Sequence, residues 1–211
     1  MTESETDVNA GAGGAVDWST LPGRLVVLSG ASGAGKSTIV HRLIDRAAGT
    51  VRRSISATTR APREGEVPGL DYHFVTADEF DALRGDLLES AEVHGAWYGT
   101  PASPVRDALA RGECVVLVID VQGGFQIRRK VPNALLVFVQ APSLRELEAR
   151  LRERGTDDDA TIARRLSNAR REIEAAREYD VQLVNDDLEA CVDALAKTLA
   201  EHQCARGMGD D

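Results

Sequence analysis

Basic residues are in deficit: 25 Lys and Arg stand against 34 Asp and Glu, which leaves the 211-residue chain at a formal charge of −9. That balance argues against a general nucleic-acid or anionic-membrane binder, since such proteins present a basic face. An anionic substrate would have to be held by local arginines. Cysteine is scarce as well. Cys114, Cys191 and Cys204 form no CxxC pair, and an odd number of distant thiols reads as reduced cysteines of a cytosolic chain, not as a disulfide framework or metal site. No apolar run approaches the length of a membrane span, and the N-terminus lacks the basic and apolar regions of a secretory signal, so the cytoplasm is the expected compartment. His41, His73, His94 and His202 are scattered without ligand spacing, and there is no internal repeat. Composition does leave room for a core: 43% of the chain is hydrophobic, enough for one α/β domain with small insertions.

The stretch that organises the chain is Arg24-Leu-Val-Val-Leu-Ser29 running into Gly30-Ala31-Ser32-Gly33-Ala34-Gly35-Lys36-Ser37-Thr38. An apolar strand leads into GxxxxGKS, and Ile39, Val40 and Leu43 follow on one face of a helix. The glycines let the backbone curl so that successive N–H groups point at phosphate oxygens, and the helix offers its positive N-terminal end. Residues 30–38 are therefore expected to cradle a nucleotide's phosphates, with Lys36 at the β- and γ-phosphates and the Ser37 hydroxyl on Mg²⁺.

Along the rest of the chain the pattern alternates. Residues 1–20 are polar, acidic and Gly/Ala-rich, and they are expected to form a disordered tail. A helix is expected to about Ala48 with Gly49 as C-cap. A β-prone segment follows at Val51–Thr59, then short β-like pieces at Tyr72–Val75 and Leu87–Val93 around a helix near Ala77–Arg84 that Thr76 could cap. Pro104–Arg111 reads as a helix. Cys114–Ile119 and Ala134–Val139 are continuous apolar runs of the kind that parallel strands buried on both faces require. Helices at about Ser143–Arg154 and Asp158–Tyr179 flank Gly155, a short strand lies at Val181–Val184, and Leu188, Val192, Leu195 and Leu199 mark a last helix. The tail at 206–211 is expected to fray. Strands alternating with helices imply right-handed crossovers and an open parallel sheet whose ligands bind beyond the carboxyl ends of the strands. The phosphate loop, Asp120 and Asn185 all lie just after strands, on that one edge.

Arg60 and Arg63, three residues apart after the hydroxyl-bearing Ser54–Thr59 segment, have the chemistry of a phosphate clamp, although two such arginines are more often solvated surface residues. Their context is what distinguishes them. The run SxxTTRxPRxGExxGxxYxFV, with LLESAEVHGAWYGTP, IDVQG, LRERG and VNDD after it in the same order, resembles the guanylate kinase family from Gly30 to Asp187. That resemblance implies an α/β phosphate-loop fold of three layers, with a central parallel sheet between helices, a small β-rich GMP-binding insertion at about 55–100 and a helical lid at about 146–170, all within a domain spanning 21–205. It implies transfer of the ATP γ-phosphoryl group to GMP with Mg²⁺ as cofactor, and no nucleic-acid or membrane partner.

The site residues come from the same resemblance. The GMP phosphate would be held by Ser56, Arg60, Arg63, Tyr72 and Tyr98, and the guanine edge read by Glu89 and Thr100. Guanine offers N1–H and the exocyclic amine as paired donors, which one carboxylate can accept together and adenine cannot satisfy. Asp120 closes a buried strand on the loop's edge, a position that suits a metal-associated or substrate-orienting carboxylate or a plain helix N-cap; the matching family residue lies on the GMP side. Arg150, Arg154 and Arg165 match lid arginines, while their neighbours Arg152, Arg164, Arg170 and Arg171 read as a solvated face pairing with Glu153, Glu172 and Glu174. Asn185 resembles an adenine-contacting position, though a helix cap is equally compatible with it. One departure from the family pattern is Val118, where a second acid is usual; Ala57 and Trp97 replace a polar residue and a tyrosine. Two rival readings are a phosphosugar kinase, which would lack Glu89 and Thr100, and a non-catalytic phosphopeptide-binding module, which would have lost the phosphate loop or the lid arginines.

Overall fold

A computed structural model describes residues 16–93, 95–153, 155 and 157–204. Its elements, in chain order, are β1 (Arg24–Ser29), α1 (Lys36–Arg46), β2 (Val51–Arg53), β3 (Ala57–Thr58), β4 (His73–Phe74), α2 (Ala77–Leu83), β5 (Leu87–Val93), β6 (Ala96–Pro101), α3 (Ala102–Ala110), β7 (Cys114–Val118), α4 (Val121–Lys130), β8 (Leu135–Gln140), α5 (Leu144–Glu153), α6 (Asp159–Ala175), β9 (Val181–Val184) and α7 (Leu188–Glu201). Five of the strands form a parallel sheet in the order β2-β7-β1-β8-β9. Successive side chains of a strand point to opposite faces, and both faces are covered. Val26, Leu28, Val116, Val137 and Val139 meet Ile39, Val40 and Leu43 of α1 and Val192, Leu195 and Leu199 of α7. Leu25, Val27, Val115, Leu117, Leu136 and Phe138 meet Val105 and Leu109 of α3 and Ile127 of α4 on the other side. This double coverage is why the strands read as unbroken apolar runs.

The insertion is a second sheet, in the order β4-β3-β6-β5, with β6 antiparallel to both β3 and β5. Helix α2 seats the buried Phe80 beneath it and begins in a capping box, with Thr76 accepting from the Glu79 N–H and Glu79 accepting from the Thr76 N–H. Helices α5 and α6 form the third unit: Leu147, Leu151, Ile162 and Ala169 pack with Ala31 of the phosphate loop. Among the described residues no helix is long and apolar enough to cross a membrane.

Several expectations need correction. The Val51–Thr59 segment is two strands, because Ser54–Ser56 carries the chain from the core sheet to the insertion sheet. Helix α4, considered in the sequence only as what Asp120 might cap, forms despite Gly123 and Gly124, which depress helix propensity; both are buried, and a Cβ on either would run into Glu89 or Tyr179. Strand β6 was hidden in the Trp97–Thr100 motif. The long helix ends at Ala175 and tightens into a 3₁₀ turn before Tyr179. At the N-terminus, a 3₁₀ turn at Trp18–Thr20 is capped by Asp17, and Trp18 packs with Leu21 against the α3/α4 side of the core. Residues 17–20 of the expected tail are thus structured, because Trp18 and Leu21 bury apolar area against the core. Residues 1–15 and 205–211 lie outside the described residues.

Candidate functional site

The carboxyl ends of β1, β2 and β7 open onto a cavity of about 480 Å³ shared by the core, the insertion and the lid helices. Gly30, Ser32, Gly33, Gly35, Lys36, Ser37 and Thr38 form its floor. Ala31 and Ala34 are buried, so what they offer is backbone. Gly35 stands at φ 93°, just ahead of α1, where the side chain of Asn185 leaves no room for a Cβ. Asn185 is itself buried; its Nδ2 donates to the Ala34 carbonyl at 2.8 Å, and its own carbonyl accepts from Arg150 Nη2 at 2.9 Å. It does not cap α7, a task that Asp187 performs. Its amide braces the phosphate loop. Lys36 Nζ donates to the Gly30 and Ala31 carbonyls at 2.5 and 3.1 Å, which keeps the ammonium over the loop.

On the insertion side, Tyr72 and Tyr98 meet edge to face at 5.8 Å, and the Arg60 guanidinium lies 5.4 Å from the Tyr72 ring centroid. Arg60 is heavily engaged. Its fork grips both Glu66 oxygens at 2.8 and 2.9 Å, Nη1 also donates to the Ala61 carbonyl, and Nε donates to the Tyr98 hydroxyl at 3.1 Å. Glu66 in turn accepts from the Arg63 backbone N–H at 2.7 Å. Glu66 therefore fixes both arginines of the expected clamp. Arg63 lines the cavity with Ser56, Tyr72 and Tyr98.

Glu89 and Thr100 face each other across β5 and β6. Thr100 Oγ1 donates to Glu89 Oε1 at 2.6 Å and lies 3.3 Å from Ser56 Oγ. Glu89 is only 3% exposed, and a Cβ on Gly123 would strike its other oxygen. Burial pushes its carboxyl up to about 7; the Thr100 hydrogen bond opposes this and the Asp120 charge adds to it. A buried carboxylate in a cavity wall is suited to paired N–H donors.

Asp120 caps a helix at the edge of the cavity. Its Oδ1 accepts the Gly123 N–H at 2.9 Å as N-cap of α4, its Oδ2 accepts from Gln122, and it also lines the cavity beside Val118. Arg150 and Arg165 reach the same cavity from α5 and α6; Arg165 donates to Ser32 Oγ at 2.8 Å and pairs with Asp157 at 2.9 Å, with both side chains largely buried. Arg154 lies outside the described residues. Arg152 pairs with Glu148 and Asp159 on the exposed face.

Glu172 is a correction. Instead of pairing on that face, it is half-buried in the cavity wall, where burial raises its pKa, Lys36 lowers it and Asp120 raises it. Sequence reading also passed over Glu66, Gly123 and Arg53. The first two sit inside the RxGE and DVQG runs; for Arg53 the only signal is its place two residues after the buried Val51, on the same side of β2.

Comparison with known proteins agrees with this geometry. The family model described as guanylate kinase matches residues 22–202. A guanylate kinase of Thermosynechococcus vestitus is 50% identical over 176 residues, covering 82% of this chain and 92% of that protein. One of Gloeobacter violaceus is 51% identical over 180 residues, covering 84% and 87%. The solved structure of guanylate kinase from Anaplasma phagocytophilum superposes with a TM-score of 0.73 at 33% identity, over 87% of this chain and 88% of that one.

Proposed function

Because the chain belongs to the guanylate kinase family and transfers the γ-phosphoryl group of ATP to GMP, giving ADP and GDP, we propose a division of that work among its own residues. The loop at 30–38 and Lys36 hold the ATP phosphates, with the Lys36 ammonium at the charge that develops on the transferred group. Arg150 and Arg165, with Arg154 as the third lid candidate, bring further positive charge to the equatorial oxygens, and Asn185 acts through the loop it braces. Ser56, Arg63, Tyr72 and Tyr98 take the GMP phosphate, and Arg60 holds Tyr98 and, through Glu66, Arg63. Glu89 and Thr100 read guanine, and Asp120 orients the acceptor.

Mg²⁺ fits the donor set. Ser37 places a hydroxyl on the cavity wall, and among the described residues no group of three acids, histidines or cysteines forms an all-protein cage. A small hard cation held by Ser37, nucleotide phosphates and water has the coordination that Mg²⁺ favours. When bound, it neutralises charge on the β- and γ-phosphates. The lid helices pack on Ala31, so closing them over the cavity excludes water from the transfer. Thiols at Cys114, Cys191 and Cys204 accord with a cytoplasmic site of action.

The observation that carries the reading is the buried Glu89–Thr100 pair in the same cavity as the phosphate loop. Glu89→Gln keeps the shape but turns an acceptor into a donor facing a guanine donor. The ratio of kcat/KM for GMP over AMP is expected to fall by several orders of magnitude, the scale for sites built on buried polar partners. An unchanged ratio would remove Glu89 from base selection.

A further inference from the structure

Arg53 stands in the cavity wall, and the reaction as described leaves it without a task. It ends β2 at the functional edge, and its side chain is only 10% exposed. Nη2 donates to the Asp71 carbonyl at 3.0 Å, and Nη1 lies 3.1 Å from His41 Nε2 on α1. Asp71 Oδ1 forms only a long ion pair with Nη1 at 4.0 Å, while its Oδ2 accepts the Val67 N–H. Nε is buried, and no described residue accepts its hydrogen bond. The Nη groups, with one carbonyl and one imidazole close by, keep donor capacity at the cavity wall that an anion can use.

The surroundings indicate what that is. Arg53 shares its wall with Ser56, Arg63 and Tyr72 on the insertion side and with Ser37 and Thr38 on the loop side. The Tyr72 hydroxyl is raised by burial, and of the cations that pull it back Arg53 acts more strongly than Arg60. Arg60, with its fork on Glu66, has little donor capacity left. We propose that Arg53 is a third arginine of the acceptor site, donating from the core sheet to the 5′-phosphate of the acceptor nucleotide. Arg63 approaches the same phosphate from the insertion. A phosphate engaged from both sides ties the insertion to the core and carries the acceptor toward the loop. The proposal rests on the phosphotransfer reading above.

Binding of GMP and of guanosine, which lacks the phosphate, separates this role from a structural one. Titration of wild type, Arg53→Gln and Arg53→Lys, with melting temperatures alongside, is expected to show GMP weakened at least about tenfold by Gln. Guanosine affinity and the KM for ATP should stay within a factor of about two, and Lys should recover part of the loss by keeping the charge without the fork. Equal weakening of GMP and guanosine would make Arg53 a strut for Asp71 and overturn the proposal, as would unchanged GMP affinity. Should Arg53→Gln fail to fold, the Lys variant decides on the same GMP-to-guanosine ratio. Wild type that binds GMP in preference to guanosine yet forms no GDP would defeat the reaction reading and leave the Arg53 test standing.

Discussion

At Glu89 one buried carboxyl ties the proposed base selection to a pH dependence. Its ordinary value of 4.5 is raised to about 7, chiefly by burial. The folded state thus holds this proton more tightly than the unfolded chain, so stability falls as pH rises from 4.5 through 7, by about 3 kcal/mol once ionisation is complete. Glu89→Gln cannot ionise, and it is expected to melt above wild type at pH 8 and to lose that advantage by pH 4.5. Guanine's donors require the ionised form, so kcat/KM for GMP in wild type should decline below about pH 7. Melting and kinetics recorded over pH 4.5–8 check both halves; a flat profile between pH 6 and 8 would mean that Glu89 stays ionised in the free enzyme. The neighbouring Glu66 differs because its two oxygens are filled by arginine donors.

Among the elements, the phosphate loop is held by the segment just beyond β9, the last core strand. The Ala34 carbonyl is served by the Asn185 amide across 151 residues of sequence, and Arg150 of α5 grips the Asn185 carbonyl, so loop, β9 and lid helix share one small network. Removing the amide in Asn185→Ala leaves a buried acceptor unmet and should cost about 1–3 kcal/mol. It should also raise the KM for ATP while sparing that for GMP. Equal KM changes for both substrates, or none with an unchanged melting temperature, would dissociate Asn185 from the loop. Helix α4 obeys the same logic in reverse, because its two poorly helical glycines are tolerated where Glu89 and Tyr179 come too close for a Cβ.

For the molecule as a whole, the 3₁₀ turn of Trp18–Thr20 lays Trp18 and Leu21 against the core. Residues 1–15 have the composition of a chain that cannot offset its ordering entropy. Deleting them should leave melting and turnover unchanged. Deletion through Leu21 should cost about 2 kcal/mol from the two part-buried side chains, visible as a lower melting temperature. Identical melting of the two truncations would show that the turn contributes nothing.

The phosphate loop and the core strands were legible in the amino-acid order alone, because local rules govern both: glycine spacing sets a backbone cradle, and strands buried on two faces must be apolar throughout. Cys114–Val118 and Leu135–Gln140 could be read for that reason, and with them the edge that carries Asp120 and Asn185. The proposed base recognition at Glu89 was legible only through resemblance to a family, since one glutamate in a polar strand has no local signature. The remainder came with the packed fold. Packing bound Arg60 to Glu66, turned Asn185 onto the loop, drew Glu172 and Arg53 into the cavity, and made a helix of a segment with two glycines. Each of these depends on groups that approach from elsewhere in the chain. Burial, close approach and the unmet hydrogen bond at Arg53 Nε exist only once the core, the insertion and the lid share one cavity.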